Sequence, residues 1–243
     1  MKLQTWFTRF IIHESFIVLF FLNKTPYFTI LLPLVLFMHN LPKKILFCVT
    51  LFICSNVLAQ DALILEEIKQ HREGQYAKFT IPEMSPITEK QIKEFKGLNY
   101  YAPDLKYRVN ATFIKYDKPS LIKMKTTVVS RQASYANYGE VQFELDGNHY
   151  TLVVFQDEST KNNIGYEDLL FIPFTDKTNG HETYDIGRYL DIRIPNTTSV
   201  ILDFNKCYNP YCSYASGFAC EIPPASNALP IAIPVGEKKY ESH

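Results

Sequence analysis

The chain has 243 residues, with 25 Lys and Arg side chains against 25 Asp and Glu, for a formal net charge of +0. No cluster of Lys and Arg forms a basic face, which excludes a nucleic acid held through its phosphate backbone. The length is more than one folded domain of this composition needs, and the excess lies at the front.

Residues 1–37 contain two apolar runs, 16–22 and 27–37, separated by Asn23, Lys24, Thr25 and Pro26, with Pro33 inside the second. Neither reaches the roughly 20 apolar residues of a spanning helix. This segment reads as an extension ahead of a true start at Met38, with a membrane anchor as the alternative. Residues 38–44 then supply Lys43 and Lys44, residues 45–53 an apolar run, and Val57, Leu58 and Ala59 a small-residue cleavage signal before Gln60. That order predicts a secretory signal peptide over 38–59 and a periplasmic or extracellular protein. Ile53 before Cys54 and Phe47 before Cys48 do not fit lipid attachment. Cleavage after Ala59 would leave no stable membrane span and an acidic excess, because the removed part holds Lys2, Arg9, Lys24, Lys43 and Lys44 against Glu14 alone.

From Asp61 to about Phe79 the residues are strong helix formers, with Ile64, Leu65 and Ile68 on one stripe, Asp61 able to cap and Gly74 a weak point. Thr88 can cap a second, short helix that turns Ile92 and Phe95 inward and ends near Gly97. This helical segment, 60–100, is predicted to form a lid or collar on a β domain over 101–243. There Tyr107, Val109, Ala111 and Phe113 alternate with Arg108, Asn110 and Thr112, as a half-buried strand does. Asp146-Gly147 predicts a two-residue hairpin turn pairing Leu145 with Asn148, Phe143 with Tyr150 and Val141 with Leu152. Further strands are predicted at 169–174, 189–194 and 199–204. The fold class is therefore mainly β (α+β), an antiparallel sandwich or partly open barrel preceded by one or two helices. No Gly-rich strand-to-helix turn supports a doubly wound nucleotide fold.

Chemistry-bearing residues concentrate in 202–237. Cys212 and Cys220 enclose seven residues and suit a disulfide in an exported chain, with buried thiols, a metal site or a reactive thiol as the other readings. As a nucleophile Cys212 would need a base, for which His181 is the candidate, although His181 stands in an ordinary turn. Asp203, sharing a strand face with Ile201, is predicted to point inward and to pair with Arg188; a general acid or base role for Asp203 is the alternative. Asp191 follows on the Arg188 strand. No metal is predicted: Asp176 to Gly180 begins like a calcium loop, but its glycine comes early and Gly187 occupies the place of the closing Glu, and His149 and His181 lack zinc-site spacing. No motif names a cofactor.

Several ordered motifs carry a family resemblance: Tyr166-Glu-Asp-Leu-Leu-Phe-Ile-Pro-Phe-Thr-Asp176, Gly180, Glu182-Thr-Tyr184, Gly187-Arg-Tyr-Leu-Asp191, Asp203-Phe-Asn205, Tyr208-Asn-Pro-Tyr-Cys212, Cys220, Pro223-Pro224, Asn227 and Gly236-Glu237. Phe95-Lys-Gly-Leu-Asn-Tyr-Tyr101 and Gly139-Glu-Val-Gln-Phe143 extend it. Together they resemble the bacterial and archaeal family known as domain of unknown function 1684, in a form similar to exported Bacteroidetes members. The resemblance implies no assigned activity. It implies that Cys212 and Cys220 also occur in non-exported relatives, which weakens the disulfide reading, and that Cys207 packs as a small apolar residue. The shared motifs are expected to converge on one polar pocket walled by Tyr184, Tyr189 and Tyr208. In it Arg188 would bind an anionic group or pair with Asp203, while Asn205 and Asn209 donate hydrogen bonds. The functional expectation is a small-molecule-binding or structural module, the alternative a hydrolase-like enzyme using Asp203 or Cys212.

Overall fold

The computed structural model describes residues 43–240. The expected extension over 1–37 and the start of the expected signal peptide lie outside the described residues. The chain divides into two units at Gln60/Asp61, and the sheet and sites described below lie in the second, Asp61–His243. Among the described residues no helix is long and apolar enough to cross a membrane.

Helix α1, Lys43–Thr80, contains the helix expected from Asp61 onward. Gly74 is accommodated inside it at a cost of ~1 kcal/mol relative to alanine. The helix stops where Pro82 disfavours a helical conformation at Ile81, and the Ser85 hydroxyl donates to the Phe79 carbonyl at 2.8 Å. Helix α2, Glu89–Glu94, starts at Thr88 with a reciprocal capping box: the Gln91 amide donates to Thr88 Oγ1 at 3.3 Å and the Thr88 amide to Gln91 Oε1 at 2.9 Å. Ile92 and Phe95 pack inward against Phe79, Ile87 and Tyr214, which anchors the collar.

Six strands follow: β1 Arg108–Lys125, β2 Gln132–Leu145, β3 Asn148–Asp157, β4 Leu169–Phe174, β5 Arg188–Arg193 and β6 Ser199–Asp203. They form one antiparallel sheet in the order β5-β4-β3-β2-β1-β6. Of the two expected arrangements, the curled half-barrel is the one formed. The β2–β3 hairpin has the predicted register, Leu145↔Asn148, Phe143↔Tyr150 and Val141↔Leu152. Its two turn residues, Asp146 at φ 54° and Gly147 at φ 74°, both take the left-handed conformation a type I′ turn requires.

Strand β1 runs further than its alternation suggested, because a register shift against β2 between Lys115 and Ser120 absorbs Pro119 where no ladder bond is needed. Gly139 lies opposite that irregularity, and a Cβ there would stand 2.4 Å from the Ile114 carbonyl oxygen. These bends help curl the sheet. Its two edges then meet: Tyr189 on β5 and Tyr208, just after β6, exchange backbone hydrogen bonds of 2.9 and 3.0 Å.

Inside the curl, Val141, Leu152, Leu170, Ile172, Phe174, Leu202 and Phe204 are fully buried together with Ile233 and Val235 of the C-terminal segment. Each contributes roughly 1.5–3 kcal/mol. Tyr135, Phe155 and Met124 form a smaller cluster with Phe171.

Candidate functional site

Arg188 opens β5 opposite Phe174 at the end of β4, so the turn after β4 lies directly beside its side chain. In that turn Asp176 accepts from Thr178 N at 2.8 Å and from Thr178 Oγ1 at 2.6 Å, which fixes its carboxylate. Arg188 Nη2 meets Asp176 Oδ2 at 2.7 Å. The guanidinium also donates to the carbonyls of Ile233 at 2.7 Å, Val235 at 2.5 Å and Glu237 at 3.3 Å, tying the C-terminal segment to β5. Arg188 is 0% exposed.

The partner of Arg188 is therefore Asp176, correcting the expected pair with Asp203. Asp203 ends β6, which pairs with β1 at the other edge of the sheet in the register Arg108↔Asp203, so its cation is Arg108, at 2.7 Å. Asp203 is buried as predicted, but for a different reason: Ile201 on the same face is 42% exposed, and Asp203 is enclosed at the strand end. Its Oδ1 accepts from Asn205 N at 3.1 Å and Asn205 Nδ2 at 2.9 Å. Asn205 in turn accepts from Asp104 N at 2.8 Å and donates to Asp104 O at 2.9 Å, pinning the chain ahead of β1.

Asn209 joins the same layer through a second acid. Its amide donates to Glu237 Oε2 at 3.0 Å, its Nδ2 donates to Lys238 O at 2.8 Å, and the Tyr214 hydroxyl donates to Glu237 Oε1. Burial pushes the Glu237 carboxyl up to about 7 despite these bonds. Gly236 next to it is at φ 76°, and a Cβ there would lie 2.3 Å from Cys207 Sγ, so only glycine fits. Cys207 is a free, fully buried thiol filling a small apolar space.

The tyrosines are placed elsewhere. Tyr189 and Tyr208 meet edge to face with ring centroids 5.8 Å apart; the Tyr189 hydroxyl donates to Glu221 O at 2.7 Å and that of Tyr208 to Asp191 Oδ2 at 2.9 Å. Tyr184 is half-buried, with its carbonyl accepting from Asn179 Nδ2 at 2.6 Å. Cys212 and Cys220 are joined in a disulfide. A disulfide sulfur is no thiolate, so Cys212 has no nucleophile to offer in this state, and His181 is an exposed turn residue. Among the described residues no three His, Cys, Asp or Glu side chains are grouped to hold a metal ion.

The expected polar site residues thus fall into three clusters rather than one pocket: Arg188 with Asp176, Asp203 and Asn205 with Arg108 and Asp104, and Asn209 with Glu237. None of them lines a cavity of about 500 Å3 that lies between α1 and residues 96–103. Ile68, Arg72 and Tyr76, at successive four-residue steps, bring one stripe of α1 to it. Lys96, Leu98 and Tyr100 form the facing wall.

Arg72 lies over the Tyr100 ring at 4.4 Å from its centroid. Arg72 Nε, Arg72 Nη2 and the Tyr100 hydroxyl are shielded from water without a hydrogen-bond partner. Arg188 Nε and Asn209 Oδ1 also lack partners, but neither residue lines the cavity. Burial holds the Tyr100 hydroxyl well above the ordinary tyrosine pKa, so it remains a donor. Both walls are firmly placed. Tyr100 pairs with Glu237 in a short bridge, and the Tyr101 amide donates to Gly236 O at 3.0 Å. On α1, Glu67 bonds Lys206 and Arg108, and the His71 ring contacts Lys206 O at 3.1 Å. Sequence reasoning passed over Arg72, although a legible signal existed: it continues the stripe of Ile64, Leu65 and Ile68, where a charged residue is out of place.

Residues 93–238 match the family described as Protein of unknown function (DUF1684). That span includes the 96–103 wall of the cavity and all three polar clusters, and excludes the α1 wall. Among solved structures the chain is similar to the solution NMR structure of the uncharacterized protein from gene locus rrnAC0354 of Haloarcula marismortui. The two are 34% identical with a TM-score of 0.57, over 74% of this chain and 96% of that one. Comparison with proteins of curated function finds no match.

Proposed function

The chain belongs to the DUF1684 family, and from that premise we propose that it is a small-molecule-binding module whose ligand occupies the cavity between α1 and residues 96–103. One observation carries the reading: an arginine edge and a tyrosine hydroxyl, both shielded from water and without acceptors, belong to residues lining that cavity. Native proteins pair more than about 90% of buried polar groups, and each orphan costs ~1–3 kcal/mol. A ligand that supplies acceptors removes that cost. The volume falls within the range of ordinary small-molecule sites.

In this reading Tyr184, Arg188, Tyr189, Asp203, Asn205, Tyr208 and Asn209 act on the ligand indirectly. They hold the β5 edge, the loop after β6 and the C-terminal segment against which Tyr100 is set. An exported location accords with the cleavage pattern at Ala59 and with the Cys212–Cys220 disulfide, since such bonds persist in oxidising compartments.

The test is native mass spectrometry of the full chain purified from its natural host, beside an Arg72→Met variant. A small-molecule adduct present on the wild type and lost from the variant is the expected result. A bare wild type that also shows no thermal shift across a metabolite panel would leave only a structural module.

A further inference from the structure

Resting on the binding reading above, we infer that the ligand is a carboxylic acid with an apolar body, its carboxylate held side-on by Arg72 and its body against the cavity's apolar wall. The two unpartnered guanidinium nitrogens are Nε and Nη2. These are the donors whose N–H bonds point the same way along one edge of the plane, at the spacing of two carboxylate oxygens. The contact with Tyr100 places this guanidinium over an aromatic ring, which favours its charge without using a hydrogen-bond donor. The Tyr100 hydroxyl is a third unpartnered donor close by.

The charge around the cavity favours a single negative charge. Arg72 and Lys96 form no direct salt bridge among the described residues, Asp203 acting on the Arg72 charge only from further off, while Lys69 is already shared between Glu66 at 3.6 Å and Glu73 at 3.8 Å. Glu73 also lines the space and opposes a more highly charged group such as a phosphate dianion. The apolar part of the wall comes from Leu65, Leu98 and Pro103 together with the Tyr76 ring. A monoanionic head beside a hydrocarbon body is the chemistry that satisfies both parts. The free edge is itself shielded in this structure, so binding requires the Arg72 side chain to turn that edge toward the cavity it lines.

The proposal is tested by calorimetric titration of the full chain with four probes: octanoate, octanol, octyl phosphate and acetate. Octanoate is expected to bind at least about tenfold more tightly than the other three, since only it combines fork-matched oxygens, one charge and an apolar body. Arg72→Lys, which keeps the charge and removes the fork, is expected to lose at least about tenfold in octanoate affinity with an unchanged thermal melt. Tyr100→Phe should weaken octanoate while sparing octanol.

Equal binding of octanol, tighter binding of octyl phosphate, or full octanoate affinity in Arg72→Lys would each overturn the carboxylate assignment while leaving the binding module intact. Failure of octanoate to bind a protein that releases some other ligand on denaturation has the same meaning. Failure of all four probes together with no released ligand removes the binding reading itself.

Discussion

Arg188 Nη2 and Asp176 Oδ2 form a 2.7 Å ion pair in which both side chains are 0% exposed. The pair joins the first residue of β5 to the turn after β4, and the same guanidinium holds three carbonyls of the C-terminal segment. Removing one member leaves the other charged, buried and unpaired. Arg188→Met is therefore expected to lower the unfolding free energy by ~3–5 kcal/mol, read by urea denaturation. The double variant Arg188→Met with Asp176→Leu should recover part of that loss, and a loss equal to the sum of the two singles would refute the coupling.

Arg108 and Asp203 offer the comparison. Their distance is also 2.7 Å, but the Arg108 side chain is 21% exposed, and Asp203 keeps two hydrogen bonds from Asn205 when the arginine is gone. Arg108→Met is expected to cost about 1–2 kcal/mol, clearly less than Arg188→Met in the same assay. An equal cost would show that enclosure is not what separates the two pairs.

Glu237 makes stability depend on pH. Its folded-state carboxyl is raised from 4.5 to about 7 by burial, so the folded chain holds this proton more tightly than the unfolded chain. The associated stability is fully present below 4.5 and is lost as pH rises toward and through about 7. Denaturation of the wild type across that window should show a decline that Glu237→Gln lacks. Parallel pH profiles for the two proteins would contradict the assignment.

The Cys212–Cys220 bond closes a short loop. Its removal in a Cys212→Ala, Cys220→Ala double variant is expected to cost ~2–3 kcal/mol. A reductant should lower the wild-type melting temperature and leave that of the variant unchanged. Cys207, buried and with its thiol pushed up to about 11, should resist alkylation until global unfolding, as checked by peptide mapping of the labelled protein.

Local chemistry made much of the fold legible in advance. The Asp146-Gly147 turn set the β2–β3 register because two left-handed residues admit one hairpin geometry, and Thr88 with Gln91 marked the start of α2 for a similarly local reason. The alternation from Tyr107 revealed β1 but not its length, since the shift around Pro119 interrupts the period that reveals a strand. The family was legible in the ordered motifs, which lie almost wholly within residues 93–238.

Partner choice was not legible. Arg188 and Asp203 looked close because they are near in sequence, yet β5 and β6 lie at opposite edges of the sheet, where each charge meets a residue brought to it by strand pairing. The same holds for the cavity: Arg72 belongs to a helix and Tyr100 to a segment 28 positions later, brought together by packing of α1 against the chain ahead of β1. The sequence by itself determined the strands, turns, caps and family, because those depend on neighbours along the chain. Only the tertiary structure decided which charges are neutralised and which donors remain unpaired, because both depend on distances in space.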